Sequence, residues 1–172
     1  MIILGIDPGT ATTGFSIIQE TKNKKNKGIK ILDYGCIITD PNLPDGERLK
    51  IISEQLEEII KKYKPDVLAV ENIYFFKNLK TAMPVSQAKG VILLTAAKEK
   101  IPVYEFTPLQ VKMAITGYGK AEKKQVQEMI KVIFNLDKKP KDLNKRKDDA
   151  TDAIGIAFCC ALQLRNKELN EN

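Results

Sequence analysis

The chain has no histidine, no tryptophan and only three cysteines among its 172 residues. Without histidine there is no Ser-His-Asp or Cys-His triad, no imidazole general base and no His-bearing zinc site from this chain alone. Cys36, Cys159 and Cys160 form no C-x-x-C pair, and an odd count of thiols suits a reducing compartment better than a disulfide framework. Long apolar runs are missing as well. The longest stretch of apolar or small residues, 153–162, falls well short of the ~18 that a membrane span needs, and the N-terminus carries no basic segment followed by an apolar one. The expectation is an intracellular, cytoplasmic protein, neither secreted nor membrane-embedded. Any chemistry must come from carboxylates, lysines, hydroxyls or a bound metal.

What is present is charge, unevenly placed. The net charge is +6, yet 21–30 holds five lysines and no acid, and 138–147 holds six basic residues and one acid. Together these segments carry +10, so the rest of the chain sums to −4. Both segments interrupt periodic sequence and read as loops. Lysine-rich loops also serve solubility, but two of them on an otherwise acidic chain favour a polyanionic partner, nucleic acid above all.

At about 150 residues per domain the length gives one domain, here 1–166, with 167–172 expected as a flexible tail. Residues 2–7 (IILGID) are a short apolar run stopped by Pro8 and Gly9, the pattern of a strand buried on both faces. Two further β-rich runs, 12–20 and 29–38, complete an antiparallel meander. Leu49, Ile52, Leu56, Ile59, Ile60 and Tyr63 then recur at helical spacing until Pro65. Residues 66–71 (DVLAVE) form a second buried-type strand, reached through that helical crossover and therefore expected to lie parallel to a neighbour. A core helix from Pro84 to about Lys100, a strand at 102–106, a helix at 122–134 and a last helix from Asp148 to about Asn166 follow. Val126, Met129, Ile130, Ile133 and Phe134 form the expected inner face of the 122–134 helix. The order describes an α/β domain with a mixed sheet.

Acidic residues at three places stand out. Asp7 ends the first buried strand, where it is either a functional group or a turn-former. Glu71 ends VLAVE with no Gly or Pro turn after it. In D-D-A-T-D, Asp149 and Asp152 stand at i,i+3 and Asp148 and Asp152 at i,i+4, so either pair shares one helix face. Like charges so placed cost a helix about 0.2–0.5 kcal/mol per pair. The helix dipole favours acids in the first turn, and Asp148 can serve as the N-cap, but Asp152 lies a turn further in, where a bound cation would account for it. If the strands ending at Asp7 and Glu71 are parallel neighbours, both carboxylates emerge at one sheet edge, to which the last helix can bring its Asp pair. Oxygen-only ligation selects Mg²⁺ or Mn²⁺, and such carboxylates beside basic segments are what two-metal phosphodiester hydrolysis requires.

The segments G-I-D-P-G-T-x-x-T-G-F at 5–15, A-V-E-N-I-Y-F at 69–75, S-Q-A-K-G-V at 86–91, Q-V-K at 110–112, G-Y-G-K-A-E-K-K-Q-V at 117–126 and D-A-T-D-A-I-G-I-A at 149–157 resemble the RuvC family of crossover-junction endonucleases. The likeness runs in order to about residue 162. It implies an RNase H-like fold with a five-stranded mixed sheet, a homodimer, and Mg²⁺-dependent paired nicking of Holliday junctions in recombination and repair. It further implies two ions per active site, with Mn²⁺ able to substitute, and RuvA and RuvB as branch-migration partners. By this resemblance Asp7, Glu71, Asp149 and Asp152 are the catalytic, metal-binding set, and Asp148 is the extra acid, an alternative ligand if the register differs. Some relatives carry histidine where Asp149 stands. Tyr74 falls where the family often has a phenylalanine that stacks on an unpaired base. Lys112 and Lys123 match lysines that contact the junction backbone or scissile phosphate, and Lys124 could share that role.

Two other families share parts of the pattern. D-P-G-T-A-T-T-G is similar to the first phosphate motif of actin and sugar-kinase ATPases, which need two such domains and a second phosphate motif. RuvC-like nucleases that process ribosomal RNA precursors share the strand-end acids but would not require the Q-V-K and G-Y-G-K-A-E-K segments.

Overall fold

The first apolar run forms β1 (Ile2–Asp7), the central strand of a five-stranded sheet. This computed structural model describes residues 1–23, 26–72, 79–136 and 147–170. β1 pairs antiparallel with β2 (Thr12–Asn23), which pairs antiparallel with β3 (Asn26–Ile38). On its other side β1 runs parallel to β4 (Val67–Glu71), and β4 parallel to β5 (Val103–Phe106). The meander and parallel crossover expected from the sequence are both present.

Among the described residues five helices flank the sheet: α1 (Asp45–Tyr63), α2 (Leu79–Lys98), α3 (Pro108–Thr116), α4 (Lys123–Phe134) and α5 (Lys147–Asn170). α1 buries Ile52, Leu56 and Ile60 and closes at Lys64, whose left-handed backbone (φ 47°) lets its N–H return to the Ile60 carbonyl. Among the described residues no helix is long and apolar enough to cross a membrane.

Strand periodicity divides the core in two. Leu4, Ile6, Leu68 and Val70 pack with Ile52, Leu56, Ile92 and Ala96 of α1 and α2. Ile3, Val67 and Ala69 point the other way, toward Val111, Ile130, Ile154 and Ala157 of α3, α4 and α5. Each fully buried aliphatic side chain contributes roughly 1.5–3 kcal/mol.

Several sequence expectations need correction. The lysine-rich segment 21–30 is mostly not a loop: β2 and β3 continue into it, pairing Thr21 with Gly28 and Lys22 with Lys27. Ladder bonding thus overrides the charge pattern there. That end of the hairpin lies beyond Met1, whose carbonyl accepts from Glu20 N–H, whereas Asp7 pairs with Gly14 at the opposite end of β1. α2 starts at Leu79, so Pro84 sits inside the helix rather than at its head. α3 occupies a stretch given no element from periodicity; Thr107 and Gln110 form a capping box that starts it on Pro108, and Gly117 (φ 68°) ends it. In α4 only Val126 and Ile130 are buried, while Met129 (40% exposed) and Ile133 (38%) face outward, because the stripe touching the core is narrower than the sequence suggests. Phe134 does turn inward, edge-on to Phe158 at 5.5 Å. α5 runs on to Asn170, past the end expected near residue 166.

Candidate active site

Period-two alternation decides where the strand-end acids point. Ile6 pairs with Val70 on the α1/α2 side, so the residues that follow, Asp7 and Glu71, emerge side by side on the α5 face. α5 approaches this edge because two glycines clear its path. A Cβ on Gly5 would stand 2.4 Å from the Ala153 carbonyl oxygen and 2.7 Å from the Ala157 Cβ. One on Gly14 would stand 2.1 Å from the Asp149 carbonyl oxygen. Ser16 adds a direct tie, its hydroxyl donating to the Ala153 carbonyl at 2.9 Å.

The result is a carboxylate cluster. Asp7, Asp149 and Asp152 each place an oxygen within 4.8 Å of the others. Asp148 is exposed and stands outside this trio, so the i,i+3 pair, not the i,i+4 pair, faces Asp7. Glu71 flanks the cluster and joins Lys112, Lys123 and Asp152 in lining a cleft of about 270 Å³. Pro108, Val111, Val126, Ile130 and Ile156 supply its apolar walls.

Burial raises the Asp7 pKa well above the carboxylate range, and the charges of Glu71, Asp152 and Asp149 push it further, against Lys123. Glu71 is raised for the same reason, first by burial and then by Asp152, with Lys123 and Lys112 opposing. Burial alone would lower Lys123, but its hydrogen bond to Asp152 and the charges of Asp152, Asp7 and Asp149 outweigh it, and the ammonium is held above its usual value. A site whose carboxylates resist ionisation while crowded together is one that a divalent cation completes. All-oxygen donors fit a hard ion.

α4 delivers the positive side. Glu122 N–H donates to Gln125 Oε1 (2.8 Å) at its start, and the first helical residue, Lys123, brings Nζ 2.6 Å from Asp152 Oδ2. Gln127, one turn later, donates from Nε2 to Asp152 Oδ1 at 3.1 Å. Sequence reasoning missed Gln127 as a site residue, although its i,i+4 spacing from Lys123 was the signal that both share a face. Lys124 is exposed near Glu128 and does not line the cleft. Tyr74 and the basic residues 138–146 lie outside the described residues.

The family model for "Crossover junction endodeoxyribonuclease RuvC" matches residues 3–160. The chain belongs to the RuvC family. RuvC of Desulforamulus reducens is 49% identical over 161 residues, covering 94% of this chain and 93% of that protein. RuvC of Thermosipho melanesiensis is 46% identical over 165 residues, covering 96% and 99%. Among solved structures, Thermus thermophilus RuvC in complex with a Holliday junction substrate superposes with a TM-score of 0.83 at 30% identity, covering 97% of this chain and 96% of that one. The yeast mitochondrial Holliday junction resolvase, at 16% identity and a TM-score of 0.63, shares the RuvC fold.

Proposed function

We infer that this chain is a structure-selective endonuclease that resolves Holliday junctions by paired, symmetric nicks in DNA recombination and repair. We assign Asp7, Glu71, Asp149 and Asp152 as its metal-binding, catalytic residues. The observation that carries this assignment is the convergence of three aspartate oxygens within 4.8 Å beside Glu71 and two cleft lysines, in a chain of the RuvC family.

The expected ions are two Mg²⁺ per site, with Mn²⁺ able to substitute. Bound divalent ions supply an activated water and neutralise the leaving 3′ oxygen. Asp7, half-buried at the end of β1, would hold the ions together with Asp149, Asp152 and Glu71. Lys123 and Lys112 line the same cleft and donate to phosphate oxygens as negative charge builds on them. Tyr74 stacks on an unpaired base near the crossover, worth ~1–3 kcal/mol, and Lys124 joins the backbone contacts.

Cutting two symmetric strands calls for a two-fold protein, and the proposed partner is a second copy of the chain. Met83 (69% exposed) and Leu94 (56% exposed) on one face of α2, with open space around Gly90 between them, give apolar surface in support of such a contact. The dimer works in the cytoplasm with RuvA and RuvB. A synthetic four-way junction end-labelled on each strand, incubated with Mg²⁺ or with EDTA, tests the reading. Symmetric paired nicks that need metal are expected; random nicks, or none, defeat it.

A further inference from the structure

The strand end that carries Glu71 is also held from behind. Side chains alternate along β4, so Asn72 points to the face opposite Glu71, toward α2, and Glu105 of β5 faces the same way. Lys89 of α2 reaches both: its Nζ lies 3.0 Å from Asn72 Oδ1 and 2.5 Å from Glu105 Oε2. Its side chain is only 12% exposed, and its neighbours Ala88 and Ile92 are fully buried. An ammonium in such surroundings is costly unless its donors are matched, and here they are matched by the ends of two adjacent parallel strands.

The β4–β5 register ends with Glu71 beside Phe106, and one further backbone bond, Asn72 N–H to the Phe106 carbonyl at 2.7 Å, closes the edge. Lys89 therefore bears on Asn72, the residue next to the Glu71 carboxylate at the end of β4.

We propose that Lys89 is a positioning residue for the metal site: by clamping Asn72 to Glu105 it fixes the end of β4 and so the place of the Glu71 carboxylate relative to Asp7 and Asp152. This rests on the assignment of Glu71 as a metal ligand. A ligand backbone free to shift by fractions of an ångström weakens ion binding without unfolding the protein. Groups that orient ligands from outside the coordination sphere change metal affinity by about 10–100-fold.

The test measures Mn²⁺ binding to the full chain by electron paramagnetic resonance, and thermal midpoints in EDTA, for Lys89→Met, Lys89→Arg, Asn72→Ala and Glu71→Gln. Lys89→Met is expected to weaken Mn²⁺ binding about tenfold with its EDTA midpoint within about 2 °C of wild type. Lys89→Arg should restore most of the affinity. Should Lys89→Met fail to fold, Asn72→Ala, which removes the acceptor and leaves Lys89 with Glu105, is expected to show the same loss. Wild-type Mn²⁺ affinity in these variants, or affinity and midpoint falling together without rescue by arginine, overturns the proposal. Glu71→Gln locates the fault. If it loses Mn²⁺ while Lys89→Met does not, the ligand assignment stands and Lys89 is only a structural staple. If Glu71→Gln binds as wild type, the ligand assignment fails and the positioning role with it.

Discussion

Lys123 and Gln127 grip opposite oxygens of one carboxylate: the lysine is 2.6 Å from Asp152 Oδ2, and the glutamine amide is 3.1 Å from Oδ1. A single helix face thus places a cation and a neutral donor on the same group, and the cation also faces the cleft that Glu71 and Lys112 line.

Removal of that cation should affect the chemical step more than binding. Lys123→Ala is expected to lower single-turnover cleavage of a junction by about 10²–10³-fold, the loss typical of one donor aimed at developing charge. Junction affinity, measured by gel shift without metal, should change by only a few-fold. Equal losses in rate and affinity would make Lys123 a binding residue.

Asp7 links activity to stability. Its folded pKa is raised, as is that of Glu71, so the folded chain holds these protons more tightly than the unfolded chain does. Stability is therefore fullest below the ordinary carboxylate range and is lost as pH rises from there through the raised folded values. Asp7→Asn removes the titrating carboxyl group. In EDTA at pH 7 this variant should be more stable than wild type by roughly 0.5–2 kcal/mol, with the gap closing toward pH 4, while cleavage is lost and junction binding kept. Mg²⁺ should raise the wild-type midpoint and leave that of Asp7→Asn unchanged. No gain in stability at pH 7 would argue that Asp7 is not strained in the metal-free fold.

Gly14→Ala is expected to be the most disruptive one-methyl change near the site. The new Cβ would stand 2.1 Å from the Asp149 carbonyl oxygen, a backbone atom that no rotamer change can move aside. The cost should reach about 1–3 kcal/mol or more in chemical denaturation, and Mn²⁺ binding should weaken because α5 is displaced with its two aspartates. Gly46→Ala, where a Cβ meets nothing within 4 Å, is the control and should be near neutral.

The basic segment 138–147 should govern affinity rather than rate. Replacing three of its lysines by glutamine is expected to weaken junction binding and to flatten the dependence of log affinity on log salt, by up to about 0.9 for every phosphate that is no longer neutralised. An unchanged slope would assign these lysines to solubility.

Much of this site was legible in the sequence. Apolar runs ending in acids located Asp7 and Glu71, and the crossover between them gave the parallel pairing that sets them side by side. Spacing alone left Asp148 and Asp149 undecided, because i,i+3 and i,i+4 both share a face; in the fold it is the Asp149 carboxylate that groups with Asp7 and Asp152. α3 escaped the periodicity argument because it buries only Val111 and Ile115, although Thr107, Pro108, Gln110 and Gly117 spell its start and stop. The lysines of 21–30 pointed to a loop because charge is a weak guide where ladder pairing carries two strands on. Lys89 stands in the S-Q-A-K-G-V segment, but nothing there gave it a role: only the fold brings Asn72 and Glu105 to it from residues 17 before and 16 after.

The two faces of the sheet are consequently under different constraints. Behind it, Leu4, Ile6, Leu68 and Val70 meet α1 and α2 through side chains that can trade volume with one another, so that layer can drift in sequence. In front, Gly5 and Gly14 meet backbone atoms of α5 and, at Gly5, the Ala157 Cβ, with no flexible side chain to absorb a change. A saturation-mutagenesis map of this protein should therefore be lopsided, permissive at the aliphatic positions behind the sheet and closed to nearly every substitution along the glycine floor beneath Asp7 and Glu71.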